Sequence, residues 1–491
     1  MKWPIHLFIL ALQIPCNDGQ AADDTADFDL GIEEALQRAE RASEDVAAAV
    51  AAVGAAKGQQ TQARSEWFPQ LTGSLSYDRL LEPDRPESMF PSVSGGQTGA
   101  AGGLSPFFQE NTWRVGLVFS QNLYAGGRTR ARQAMSEGSL RVAELDLASA
   151  RARAALTTVQ IYYDAVLMQK LSSIAESALQ QSEQTLRLVQ LGGEQGTRPE
   201  FDVLRAQVAV QNQKPQLLTA RMQKDQALLR LKQLLDIPLE KSVRLTSSLE
   251  GDKDLLDLTA MARQVADISP GEAKGNARLI VERAEAAVAM RSAAIDLAQS
   301  QHVPSISAVS NYGLVAYPES GMPESGDWLK TWTAGLQVNV PIFSGLRVTG
   351  EVRSAEADLE VAQTQKQQTK EQAALDTRSA FDELAAALAL WQASAGTVSQ
   401  AERAYQIAEL RYNDGISTQL ELSDARLQLQ QAQANRARSA RDLQVARVRV
   451  ALLPHLPLNL GSGVGRGMTP AGDGTLPFLP SFPASQGQST P

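Results

Sequence analysis

Gly127 to Leu191 and Leu346 to Asn413 contain no proline and few internal glycines, Gly138 in the first and Gly350 and Gly396 in the second. Stretches that long without a breaker read as helices, and at 1.5 Å of rise per residue each would extend roughly 100 Å, far beyond a globular helix. Such a helix needs lateral partners. Leu30 to Glu66, Pro199 to Leu235, Ala277 to Gln301 and Ser417 to Leu453 supply them as shorter helical stretches. Apolar positions recur at spacings of three and four with many alanines among them, as at Val398, Ala401, Tyr405 and Ala408, which suits closely packed helices of coiled-coil type. A plain helical bundle accounts for this part equally well.

The long stretches belong to a duplication. Thr112-Trp113-Arg114-Val115-Gly116-Leu117 returns 219 residues later as Thr331-Trp332-Thr333-Ala334-Gly335-Leu336, and the same offset pairs Gly126 with Gly345, Gly196 with Gly415, Asp202 with Glu421 and Ala206 with Ala425. Upstream, Phe68-Pro69-Gln70-Leu71 matches Val303-Pro304-Ser305-Ile306 at an offset of 235, so the first copy carries the longer loop, at about Glu82 to Asn111 against Pro318 to Leu329.

Each copy also carries a strand pair, expected at about 71–78 and 113–124 in the first and 305–313 and 332–343 in the second. Trp332, Ala334, Leu336, Val338, Val340 and Ile342 alternate with Thr333, Gly335, Gln337, Asn339 and Pro341, one apolar face and one polar. Trp113, Val115, Leu117 and Phe119 repeat the pattern. Strands of this length with aromatic residues towards their ends fit the lipid-out, water-in alternation of outer-membrane strands, and a half-buried soluble sheet reads the same way.

Met1 to Pro15 has a lysine followed by a short apolar run and then Gln20-Ala21-Ala22, the layout of a secretory signal ending at about residue 21. Cys16 is a candidate for lipidation, although Gln13 and Pro15 stand where lipoprotein signals favour leucine and a small residue. It is the only cysteine, so no intrachain disulfide can form. Beyond the signal no apolar run is long enough for a transmembrane helix, so membrane insertion would require a β-barrel. The division expected is signal 1–21, first repeat 22–236, linker 237–255, second repeat 256–454 and a disordered Pro-, Gly- and Ser-rich tail 455–491.

A net charge of −9 supplies no basic face for nucleic acid. His6, His302 and His455 are scattered, which offers neither a metal cluster nor a His-based triad, and no phosphate-binding Gly-rich loop with the Lys-Ser/Thr ending occurs. We expect no enzyme, no cofactor and no metal. At the hairpin ends Gly196 and Gly415 sit where a long helix must stop and reverse, Pro199 suits a first helical turn, and Ser417 or Thr418 suits an N-cap.

Two copies of a strand pair plus a long helical hairpin strongly resemble the TolC-like outer-membrane factor family, the outer membrane efflux proteins of Gram-negative bacteria. The resemblance covers about Leu30 to Pro454. It is sharpest at Arg411-Tyr412-Asn413-Asp414-Gly415 followed by Leu420-Glu421-Leu422-Ser423-Asp424-Ala425, and at Leu191-Gly192-Gly193-Glu194-Gln195-Gly196 followed by Asp202-Val203-Leu204-Arg205-Ala206-Gln207. It implies a mainly α chain with a membrane β part: a homotrimer whose strands close a twelve-stranded barrel in outer-membrane lipid, continued by a periplasmic α-helical barrel. It further implies an exit duct of a tripartite efflux pump or type I secretion system, working with a periplasmic membrane-fusion adaptor and an inner-membrane transporter. A non-channel periplasmic coiled-coil adaptor or scaffold is the rival, against which the duplication and the strand alternation weigh.

By the same resemblance Glu421 and Asp424 match an acidic ring at the periplasmic entrance, and Asp202 and Tyr412 match positions that hold it closed. Thr418-x-x-Glu421 is also a capping box, which would need that glutamate for helix initiation alone, and a solvated helix face accounts for Asp424. Where some relatives carry a locking arginine, this chain has Ser417, and Arg198, its counterpart in the first copy, is the candidate substitute.

Overall fold

The computed structural model describes residues 28–81, 111–196, 198–249, 278–318 and 321–458. The signal with Cys16, nearly all of the longer loop of the first copy, residues 250–277 and the tail from residue 459 lie outside the described residues.

The chain runs β1 (Phe28–Leu30), α1 (Ile32–Ala42), α2 (Glu44–Ser65), β2 (Gln70–Arg79), β3 (Asn111–Tyr124), α3 (Arg128–Glu194), α4 (Glu200–Leu234), β4 (Val243–Leu245), α5 (Leu279–Gln299), β5 (Ser305–Ala316), β6 (Trp328–Asn339), α6 (Arg347–Asn413) and α7 (Gln419–Leu452). The long helices α3 and α6 are each 67 residues and start 219 residues apart, so the repeat is kept through their whole length. Their termini repeat as well. Gly126 and Gly345 both have positive φ before the helix, and Gly196 and Gly415 both have it after.

Helix α4 packs along α3 and α7 along α6, forming two hairpins that meet through α3 and α7. Helix α2 lies on α3, and α5 lies between α3 and α6. Gly138 makes the α3–α5 approach close enough that a Cβ there would sit 2.3 Å from Met290 Cγ. The first short helical stretch is two helices, because Ser43 leaves the helical region and its hydroxyl caps α2 by accepting the Val46 N–H at 3.4 Å. Pro199 stands one place before α4 as its N-cap residue, and Pro215 is carried inside the helix at an exposed position.

Four strands form one antiparallel sheet in the order β2-β3-β5-β6, and β2 and β6 are its edges. The register carries a largely apolar face across the four strands. Leu75, Val115 and Leu314 stand in line with Lys330, the one charged member of that row, and Gly73, Leu117, Tyr312 and Trp332 form the neighbouring row. The other face carries Ser74, Ser76, Arg114, Asn311 and Thr333. Among the described residues nothing covers the apolar face fully: Leu71, Leu75, Trp332 and Leu336 are 68–75% exposed. β6 begins four residues earlier than the alternation suggested and ends at Asn339, so Val340 and Ile342 lie beyond it.

At the level of β1 and β4, which pair in parallel, the main core gathers around Tyr162 and Tyr163, both 0% exposed. Leu30, Ile32, Leu231, Leu235, Ala440 and Leu452 converge there from β1, α1, the end of α4 and α7. The Tyr162 hydroxyl donates to the Leu30 carbonyl at 2.9 Å and accepts the Ser247 N–H at 3.3 Å, which fixes β1 against the segment after β4. Two features of this belt differ from expectation. The parallel β1–β4 pair has no counterpart in the sequence reading, and the tail does not begin as loose chain at residue 455. Leu456 is buried, and Arg278 donates to its carbonyl at 3.1 Å. Arg278 also meets Asp376 at 2.6 Å, and Asp376 takes Arg449 at 3.1 Å on its other oxygen.

Candidate entrance at the hairpin ends

Both hairpins reverse by the same hydrogen-bonded geometry. In the second, the Gly415 N–H reaches the Tyr412 carbonyl at 3.1 Å and the Ile416 N–H the Arg411 carbonyl at 2.9 Å, the paired bonds of a helix stop that needs a left-handed residue at Gly415. In the first, the Gly196 N–H reaches the Gly193 carbonyl at 3.1 Å. Arg198 N–H to Gly192 carbonyl and Ser417 N–H to Arg411 carbonyl, both 3.1 Å, are equivalent under the repeat. A Cβ on Gly196 or Gly415 would touch nothing within 4 Å, so glycine is required there for its backbone and not for space.

A small apolar cluster clamps the two ends together: Val189, Ala206, Tyr405, Tyr412, Leu422 and Leu429. On it the structure brings Arg198, Tyr412 and Asp202 together. The Arg198 guanidinium lies over the Tyr412 ring at 4.5 Å and donates to the Tyr412 carbonyl at 2.8 Å, joining the first hairpin to the second. Tyr412 is 2% exposed, and its hydroxyl finds no hydrogen-bond partner among the described residues. Burial pushes that hydroxyl's pKa up, with Arg198 pulling down and Asp202 pushing up.

Thr418 caps α7 by accepting the Glu421 N–H at 3.4 Å. The box closes differently from the sequence pattern, since the Glu421 carboxylate takes the Ser417 hydroxyl at 2.7 Å. Ser417 is buried, so where the resemblance leads one to look for an arginine this chain has a short hydroxyl that holds Glu421 in place. Glu421 and Asp424 are both exposed, and Asp424 has no hydrogen bond or ion pair among the described residues. Sequence reasoning missed Gln419. It is 4% exposed, and its amide, oriented by its neighbours, donates to the Asp202 carbonyl and accepts the Ala206 N–H, each at 3.1 Å. No local signal marks it, because both partners lie more than two hundred residues away.

The long paired helices, the open sheet and the twinned hairpin ends agree with what known proteins show. A family model described as outer membrane efflux protein matches residues 35–236 and 270–453. The chain belongs to the outer membrane efflux protein family. Among curated outer membrane efflux proteins, the probable efflux pump outer membrane protein TtgC of Pseudomonas putida is 26% identical over 82% of this chain and 78% of its own. The pyoverdine export outer membrane protein OpmQ of Pseudomonas aeruginosa is 25% identical over 85% and 82%. The Campylobacter jejuni CmeC outer membrane channel superposes with a TM-score of 0.68 at 19% identity, covering 87% of this chain and 86% of its own. VceC of Vibrio cholerae gives 0.65 at 20% identity, over 86% and 96%. The fold is therefore TolC-like, the family is one of channels and not enzymes, and its place is the outer membrane of Gram-negative bacteria. Outer membrane efflux proteins generally form trimers that work with adaptors and inner-membrane transporters.

Proposed function

We propose that this chain is the passive exit duct of a tripartite efflux pump, three copies closing one barrel and one helical tube. The observation that carries this reading is the four-stranded sheet, with one largely apolar face and, among the described residues, two unpaired edges at β2 and β6. Four strands are too few to close a barrel, and an uncapped edge invites pairing with another chain. The helical part offers matching support. Exposed apolar residues recur under the repeat as Leu188 and Ile407, Leu191 and Leu410, Phe201 and Leu420, Val208 and Leu427, so each hairpin presents the same stripe to a neighbour.

In a three-fold tube Glu421 and Asp424 would each become a ring of three carboxylates at the narrow end, favouring cations. Arg198 over Tyr412, beside Asp202, would hold the two hairpins of one chain together in the resting state. The exposed hairpin ends, Leu191 to Ala206 and Arg411 to Ala425, offer the adaptor a helical docking surface. An efflux role is favoured over type I secretion because TtgC and its like are named as efflux pump proteins. Electron microscopy of detergent-extracted protein is expected to show three-fold tapered tubes with a detergent belt at one end. Monomers or rods without a belt would overturn the duct. In planar bilayers, Glu421→Gln with Asp424→Asn should cut cation preference several-fold, while an unchanged preference would remove the ring from the entrance.

A further inference from the structure

A cavity of about 800 Å³ opens between α3, the segment after β4, α6 and α7, beginning at the hairpin-end cluster, with which it shares Leu429, and extending away from the ends. Its wall is polar for a gap between long helices, with Gln169, Gln181, Gln430, Gln433, Ser173 and Ser177 among its residues. Lys170, Arg426 and Arg436 also line it, against one carboxylate among the described residues, Glu402. Arg426 decides its character. It is 8% exposed, and no hydrogen bond or ion pair reaches its guanidinium among the described residues. Tyr405, the titratable group facing it, directs its own hydroxyl to Glu409 at 3.3 Å.

A guanidinium largely withdrawn from bulk solvent and facing a cavity favours an anion there, and its planar fork fits a carboxylate or phosphate. The cavity has the size of a small-ligand site. We propose that it binds a small organic anion bearing a carboxylate or phosphate group, the anionic oxygens on Arg426 and the rest of the molecule among the glutamine amides. Such a ligand would touch α3 of the first hairpin and both helices of the second, and so would hold the hairpins at one spacing. The site lies within one chain and does not rest on the duct reading.

The test is thermal unfolding of the full chain in dodecyl maltoside, a neutral detergent, titrated with citrate and with inorganic phosphate against sodium chloride at matched ionic strength. Citrate, phosphate or both should raise the Tm saturably by several degrees, as a ligand of the folded state does. Arg426→Met should lose that response while unfolding in chloride no earlier than the wild type. Gln433→Leu, which keeps the cation and narrows the polar wall, should weaken binding several-fold. A wild type that responds to neither anion beyond chloride would overturn the site. So would an Arg426→Met or Gln433→Leu protein that responds as the wild type does.

Discussion

Asp376 shows how much a single side chain can decide. At 7% exposure it serves two arginines, Arg278 at 2.6 Å and Arg449 at 3.1 Å, and Arg278 also donates to the carbonyls of Ala373 and Leu456. Removing one partner of a buried charge cluster leaves the others uncompensated, so Asp376→Ala should cost about 3–5 kcal/mol. Chemical denaturation monitored by circular dichroism checks this, and a loss under about 1 kcal/mol would mean that water already serves the arginines. Tyr405 offers a pH prediction. Burial, then the nearby Glu409, pushes its hydroxyl up to about 12, above its ordinary value of 10.0. A group raised on folding contributes stability that is fully present below the unfolded value and lost as pH rises through the folded one. The hairpin ends should therefore loosen between about pH 10 and 12, and Tyr405→Phe should flatten that loss in a melt-versus-pH series.

Helices in this chain end by one device used three times. After α4 the Asp236 N–H reaches the Gln233 carbonyl at 3.3 Å and the Ile237 N–H reaches Lys232 at 2.9 Å, the same pair of bonds as at Gly415. Here the left-handed residue is an aspartate, with φ of 51°. Asp236 is exposed, so Asp236→Gly should stabilise the chain by about 1 kcal/mol, read as a higher Tm. The converse holds at the hairpin tip. Gly415→Ala meets no steric neighbour, yet forcing alanine to φ of 75° should cost about 1–2 kcal/mol. Element existence was legible from the sequence because proline-free length and alternation are local properties. Bounds were less so. β6 starts at Trp328 because its register with β5 pairs Ala316 with Trp328, a partner choice that no periodicity in β6 itself encodes.

For the whole molecule, the sheet matters most. Leu336 is 70% exposed on the apolar face, whereas its neighbour Gln337 points to the other. Leu336→Lys should hinder insertion by about 2–4 kcal/mol if it meets the middle of the bilayer, while Gln337→Lys should be tolerated. Comparing the yield of membrane-extracted trimer for the two variants distinguishes a lipid-facing sheet from a soluble one, which would treat them in the opposite way or alike.

The sequence by itself determined the duplication, the two long helices, the alternating strands and the glycine stops, and through the hairpin-end motifs it pointed to the family. All of these are written in residues close together or in a constant offset. The tertiary structure alone decided that Arg198 lies on Tyr412, that Gln419 bridges Asp202 and Ala206, that Asp376 is shared between two arginines and that Arg426 faces a cavity with no hydrogen bond or ion pair among the described residues. Arg198 and its acceptor are 214 residues apart, and a contact over that distance leaves no periodic trace along the chain. It exists only because two helices of equal length stop at the same height and bring their ends together.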